Sequence, residues 1–265
     1  MALIRHDERG RRDIIRIVTD NRIWRTLAWV DIRSKYRLST LGTFWITATT
    51  AIFVISIGLI YGQFFGQDMH KYLPYFATGF LVWGFISATL TESAHTLIGN
   101  GNFIKGSQLP IVFHIMRMMQ RHLIIFLHNI VVLVGIWLWL RWDLQWSMLV
   151  ALVGLLLTYV FSSGVAVVVS ILCVRFRDIP PLVQAITQFL FFVTPIMWYP
   201  ETLKYGHVVL WLNPVSFFIR VTRDPLLDRA VDPLVWVGAF GWATVSAGLA
   251  AVLYLRYRNR IAYWV

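Results

Sequence analysis

Residues 148–174 form an apolar run without a single charged side chain, and residues 234–255 form another. A helix needs about 20 mostly apolar residues to cross a hydrocarbon core of about 30 Å. Three further runs, 41–65, 72–90 and 123–140, reach or approach that length, and a sixth, 182–199, is apolar but carries Pro195. In lipid a spanning segment must satisfy its own backbone N–H and C=O groups, which a helix does. The expected fold class is therefore an all-α polytopic membrane protein with six transmembrane helices. Charged residues make up only 14% of the chain and hydrophobic ones 58%. A soluble domain averages about 25% charged, so a soluble helical protein is set aside.

The net charge of +11 would suggest nucleic acid for a soluble protein. Six spans leave both termini on one side, and 18 of the 24 Lys and Arg residues fall there. Ten precede the first run and three, Lys105, Arg117 and Arg121, lie between the second and third. Arg175 and Arg177 lie between the fourth and fifth, and Arg256, Arg258 and Arg260 follow the last. The positive-inside rule places that side, and both termini, in the cytoplasm. Most of the charge is then an orientation signal, and no nucleic-acid partner is expected. The first residues are charged and lack the apolar region of a cleavable signal peptide. The single cysteine, Cys173, permits neither an internal disulfide nor a CxxC site.

Around the spanning region, residues 39–260, lie segments of different character. Residues 1–38 form a basic arm. In it Ile23, Trp24, Leu27 and Ala28 gather on one helical face, and Asp20 is a candidate N-cap. An apolar face with Trp and a cationic flank that includes Arg33, Lys35 and Arg37 suits an amphipathic interface helix. A solvated helix packed on a partner is the alternative. The loop at 97–112 mixes apolar and basic residues. A short helix before Pro110 and a bend into the third span would leave Phe103, Ile104 and Leu109 exposed unless a partner or the membrane surface covers them. Residues 256–265 form a cytoplasmic tail.

Glu92, near the inner end of the second span, is costly at that depth. Arg117 and Arg121, one helical turn apart, are its candidate ion-pair partners. Pro180 and Pro181 can open a helix but not sit inside one, and Pro195 stops it. The fifth span is then only about 20 Å long. The external segment 200–233 carries four prolines around an apolar patch, and short helices dipping into or lying on the outer leaflet fit it. FSSG at 161–164 resembles a protease serine motif without its first glycine, and small residues closing a helix–helix contact are the favoured reading. His128 and Asn129 are expected to form an interhelical hydrogen-bonding pair. No histidine spacing fits a metal site. No GxxxxGK[ST] occurs, so this chain does not itself carry a P-loop.

Five segments in order carry a family resemblance. They are DIRSKYRLSTLGTFW (31–45), IKGSQLP (104–110), RFRDIPPLVQ (175–184), TPIMWYP (194–200) and LNPVSFFIRVTRDPLL (212–227). Together they resemble the membrane subunit of ABC exporters that move O antigens, capsular polysaccharides and teichoic acids. The resemblance implies a non-enzymatic, six-span permease acting as a homodimer with two copies of a separate ABC ATPase, which binds ATP and Mg. It implies that Asn102, Phe103, Ile104, Lys105, Leu109 and Pro110 belong to a coupling helix seated on the ATPase. It also implies re-entrant outer helices at 200–233. The substrate would be a polysaccharide on undecaprenyl diphosphate or on a phospholipid, with periplasmic or outer-membrane export proteins downstream. Arg33, Lys35 and Arg37 would stand near the lipid headgroup. Phe189, Phe192, Trp198 and Tyr199 are candidates for a substrate path, because aromatic faces stack on sugars without strict register, as they do on nucleic-acid bases.

Two other classes stay open. A lipid-linked glycan-processing enzyme would need an acidic or metal-binding cluster at a span end, and Asp143 and Asp178 fall on opposite sides. An ion-coupled transporter would need several buried ionisable groups, and Glu92 stands alone.

Overall fold

The computed structural model describes residues 21–265 except 36, 38, 41, 65, 107, 108, 142–144, 203 and 205. The first half of the basic arm, Asp20 and Asp143 lie outside the described residues. All regular elements among the described residues are helical: α1 (Asn21–Lys35), α2 (Phe44–Phe64), α3 (Met69–Gly99), α4 (Gly101–Gly106), α5 (Val112–Leu140), α6 (Val150–Arg175), α7 (Ile179–Val193), α8 (Gly206–Leu212), α9 (Pro214–Leu226) and α10 (Pro233–Trp264), with short 3-10 turns at Trp146–Leu149 and Pro200–Thr202. Five helices are long and apolar enough to cross a membrane: α2, α3, α5, α6 with its leading 3-10 turn, and α10. A sixth, α7, is apolar but shorter.

Local chemistry sets the ends of these helices. Asp68, Asn213 and Asp232 accept hydrogen bonds from the backbone N–H groups of His70, Val215 and Leu234 at 3.0, 3.0 and 2.8 Å. Pro214 and Pro233 follow two of these caps, where a missing N–H costs nothing. Pro180 and Pro181 open α7 in the same way. Thr194 ends α7 in an extended conformation, φ −84° and ψ 136°, because the residue before a proline is driven out of the α region. At 15 residues α7 is about 22 Å long, short of a bilayer core.

Three of the other helices, α3, α5 and α10, overrun their apolar runs. α3 continues to Gly99, and α5 already starts at Val112. Arg117 and Arg121, which lie between the second and third apolar runs, are therefore both on α5, one turn apart as their spacing suggests. Their stretch, MRMMQR, is built of strong helix formers.

α3 is the central element. Tyr72, Leu73, Tyr75, Phe76 and Ala77 are fully buried in it, and α2, α5, α6, α7 and α9 pack around it. α9 is wedged among α3, α6 and α10. From Val215 to Pro225 every α9 side chain except Arg220 is buried. Two glycines on α6 permit this packing. A Cβ on Gly164 would stand 2.6 Å from the Ser246 carbonyl carbon of α10, and one on Gly154 would stand 2.4 Å from the Val221 carbonyl oxygen of α9. FSSG is thus a helix–helix contact of small residues.

Gly154→Val and Gly164→Val should each lower the melting temperature in detergent, since overpacking against backbone costs about 1–3 kcal/mol. Gly135→Ala adds a methyl where no atom lies within 4 Å and should melt like the parent.

Candidate functional site

The break after α7 frees backbone groups inside the protein, and three side chains take them up. The Tyr72 hydroxyl donates to the Met197 carbonyl at 2.9 Å. The Tyr75 hydroxyl lies 2.9 Å from the Trp198 carbonyl and 3.2 Å from that of Pro195. Arg223 Nη1 donates to the Pro195 carbonyl at 2.6 Å. A buried carbonyl without a donor would cost about 1–3 kcal/mol, so these bonds make the break tolerable. Thr194 completes the junction. Its hydroxyl donates to the Leu190 carbonyl at 2.5 Å and accepts from Asn213 Nδ2 at 2.8 Å.

Arg223 is only 2% exposed, although its charge looks external in the sequence. Asp224 Oδ1 sits 3.2 Å from its Nε, and Arg220 Nε approaches Asp224 from the other side at 3.5 Å. The Arg223 guanidinium also stacks 3.9 Å over the Tyr75 ring, a favourable cation–π contact. The clue available beforehand was an Arg-Asp pair inside an apolar, proline-broken segment, where a buried charge needs a partner.

Of the four aromatic path residues, Phe189 and Phe192 are 65% and 66% exposed on α7. The opposite side of α7 meets α3, with Phe191 5.8 Å from Trp83. Trp198 and Tyr199 are half-buried in the break instead. The Trp198 indole N–H donates to the Phe192 carbonyl at 3.0 Å. The Tyr199 ring centroid is 4.2 Å from that of Tyr75.

At the other end of the bundle, α1 lies on α5. Trp24, Ala28 and Ile32, spaced one turn apart, form its buried stripe, while Ile23 is exposed. Asp31, half-buried on α1, is the clasp. It pairs with Arg117 through two bonds, one of them Nε to Oδ2 at 2.8 Å, and with Arg121 Nη1 at 2.9 Å. Arg121 also pairs with Glu92, and His122 Nε2 lies 2.9 Å from the second Glu92 oxygen. The anticipated ion pair is therefore Glu92 with Arg121, while Arg117 serves the arm. Asp31, Glu92, His95, His114, Arg117 and Arg121 line a cavity of about 310 Å³. Neither ring nitrogen of His114 has a protein partner, and a polar cavity of this size has room for water.

α4 sits beside this network as a separate turn of helix. Asn102, Phe103 and Lys105 are exposed on it, and Leu109 and Pro110 follow in the connection to α5. Ile104 departs from expectation. It is 8% exposed and belongs to the hydrophobic core, because a single helical turn must turn one side chain inward to be held. Arg33, Lys35 and Arg37 are exposed at and just beyond the end of α1. His128 and Asn129 do not form the expected interhelical pair. The His128 ring bonds the Ile124 carbonyl of its own helix at 2.8 Å, and the Asn129 side-chain oxygen has no partner. No group of three metal-ligating side chains occurs among the described residues.

Residues 22–227, from the arm through α9, match the family model described as ABC-2 type transporter. The chain belongs to the ABC-2 type transporter family. Two relatives carry the name O-antigen export system permease protein RfbA, both from Klebsiella pneumoniae. One is 24% identical over 207 residues, covering 76% of this chain and 79% of the relative. The other is 22% identical over 236 residues, covering 86% and 90%. Membership makes this chain the non-catalytic, multi-pass transmembrane subunit of an ABC-2 transporter, and implies an ABC ATPase as its partner.

In this ABC-2 subunit, Tyr75→Phe should destabilise the detergent-solubilised protein by about 1–3 kcal/mol and Arg223→Met by more, since breaking a buried charge pair costs about 3–5 kcal/mol. Both serve the Pro195 carbonyl, so a double-mutant cycle read by thermal melting should be non-additive. Asp31→Asn should speed limited trypsin cleavage of the 21–35 helix several-fold, and Asp31→Glu should largely restore protection.

Proposed function

We propose that this chain is the transmembrane subunit of an ATP-driven exporter that moves a lipid-linked polysaccharide, an O antigen or a capsule, out across the bacterial inner membrane. One observation carries the reading: two O-antigen export permeases align with it over 76% and 86% of its length. The chain works as a homodimer of six-span subunits with two ABC ATPases, which bind ATP and Mg, and both its termini are cytoplasmic. α7 serves as the short fifth span. α8 and α9 are the re-entrant outer helices.

Geometry supports a division of labour. α4 is a coupling helix, anchored by Ile104 and offering Phe103 and Lys105 to the ATPase, with Asn102, Leu109 and Pro110 at its edges. It packs against α3 and α10, and its Phe103 ring stands 6.4 Å from that of His114 on α5, which borders the cavity of the ion network. A push on α4 would therefore reach α3, α5 and α10 together. Arg33, Lys35 and Arg37 stand where an anionic lipid headgroup would approach. Phe189 and Phe192 form the exposed part of a sugar path, and Trp198 and Tyr199 its outer end, beside the rigid break. The lipid carrier, undecaprenyl diphosphate or a phospholipid, would travel with the glycan toward export proteins beyond the membrane.

An export assay in cells expressing the cognate ATPase tests this reading. Phe103→Asp should abolish co-purification of the ATPase as well as export. Trp198→Ala with Tyr199→Ala should reduce export at least tenfold while the complex still assembles. Unchanged export removes both aromatics from the path, and failure of the unaltered chain to bind any ABC ATPase rejects the exporter.

A further inference from the structure

A cleft at the C-terminal ends of α6 and α10 has chemistry that the export reading does not use. The two helices run the same way through the bundle and touch at Gly164 and Ser246, so their last turns lie side by side. There Leu172, Arg175, Leu253, Tyr257, Arg260 and Trp264 border a cleft of about 350 Å³. Its walls are apolar, and two guanidiniums stand at its mouth.

These two arginines differ from the paired arginines inside the bundle. Arg117, Arg121 and Arg223 are each neutralised by a carboxylate. Among the described residues, no carboxylate lies within 4.0 Å of Arg175 or Arg260. Aromatic rings hold Arg175 in place, its guanidinium carbon 5.2 Å from the Trp264 ring and 5.7 Å from that of Phe176. Ring contact occupies the face of a guanidinium and leaves its N–H edge free to donate. Trp264 is itself tied to the end of α6, since its carbonyl accepts from Arg177 Nη2 at 3.1 Å.

A ligand for this cleft needs an anionic head and an apolar body. Phosphate oxygens match the guanidinium fork. A free phosphate would leave Leu172 and Leu253 unused, and a neutral apolar molecule would leave the arginines unused. Leu253 continues one turn away into Leu249, which is 47% exposed, so the apolar wall extends onto the outer surface of α10. We propose that the cleft binds an anionic glycerophospholipid, its phosphate between Arg175 and Arg260 and an acyl chain along Leu172 and Leu253. With the termini in the cytoplasm this is an inner-leaflet site, a location that rests on the orientation proposed above. The charge and shape of the cleft do not depend on it.

Native mass spectrometry of the full chain, purified in detergent and titrated with phosphatidylglycerol, tests the proposal. The parent protein should retain one phosphatidylglycerol through dissociation of the micelle. Arg175→Gln with Arg260→Gln should reduce that retained fraction about tenfold, and Arg175→Lys with Arg260→Lys should keep most of it. Arg22→Gln with Arg25→Gln removes the same charge from the arm and should change nothing. Millimolar inorganic phosphate and phosphatidylcholine should not displace the bound lipid. Equal retention by the Gln variant, displacement by free phosphate, or equal retention of phosphatidylcholine would each overturn the proposal. So would a Gln variant that keeps its lipid but loses the ATPase, which would make the cleft a protein-docking face. Leaflet and site are separated by labelling Tyr263→Cys in a Cys173→Ala background with an impermeant maleimide. Labelling from outside intact cells would refute the orientation and leave lipid binding to stand or fall on the mass spectra.

Discussion

Backbone polar groups released inside an apolar protein must find partners, and in this chain that requirement falls on Arg223. Pro195 ends α7 part-way across what a membrane needs and exposes the carbonyls of a seven-residue turn, 194–200. Water cannot reach most of them. Arg223 and Tyr75 converge on the Pro195 carbonyl, Tyr75 also reaches Trp198, and Tyr72 takes Met197. Arg223 can be buried there because Asp224 is beside it and the Tyr75 ring is beneath it. Placing that guanidinium requires α9 to enter the bundle, and α9 enters only because Gly154 lets its backbone approach α6. A short α7, an inserted α9 and a tyrosine-bearing α3 are thus parts of one solution.

The opposite end of the bundle uses charge differently. Asp31, Arg117, Arg121 and Glu92 are only partly screened from solvent, so their pairing contributes little stability by itself. Its effect is geometric. The carboxylates come from α1 and α3, and both arginines from α5. Three elements that meet near α4 therefore keep one relative arrangement.

Much of this organisation can be read in the sequence. The uncharged runs specify membrane helices because at that length a helix satisfies its whole backbone within one segment, as lipid demands. Pro180–Pro181 and Pro195 bound α7 within a residue or two, since proline acts locally on its own φ, on the missing N–H and on the residue before it. Glycines and a proline around 101–110 likewise mark α4. Partner choice is harder to read. Asp31 and Arg117 are 86 positions apart, and no local pattern links them. Ile104 turns inward for a similar reason: which side of a one-turn helix is buried depends on what packs against it. The His128–Asn129 pair fails because the His128 ring finds the Ile124 carbonyl of its own helix closer than any neighbour.

The sequence by itself determined what local chemistry controls: helical spans, their caps, the broken fifth helix and the absence of a P-loop from the chain. The tertiary structure decided which charges are buried and what they serve. Arg223 and Arg260 look equivalent as basic residues near helix ends. One lies among carbonyls and a carboxylate in the protein interior, and the other stands at an apolar cleft with no carboxylate beside it among the described residues. That difference arises from long-range packing, because the energy of a charge depends on the medium and partners that the fold brings to it.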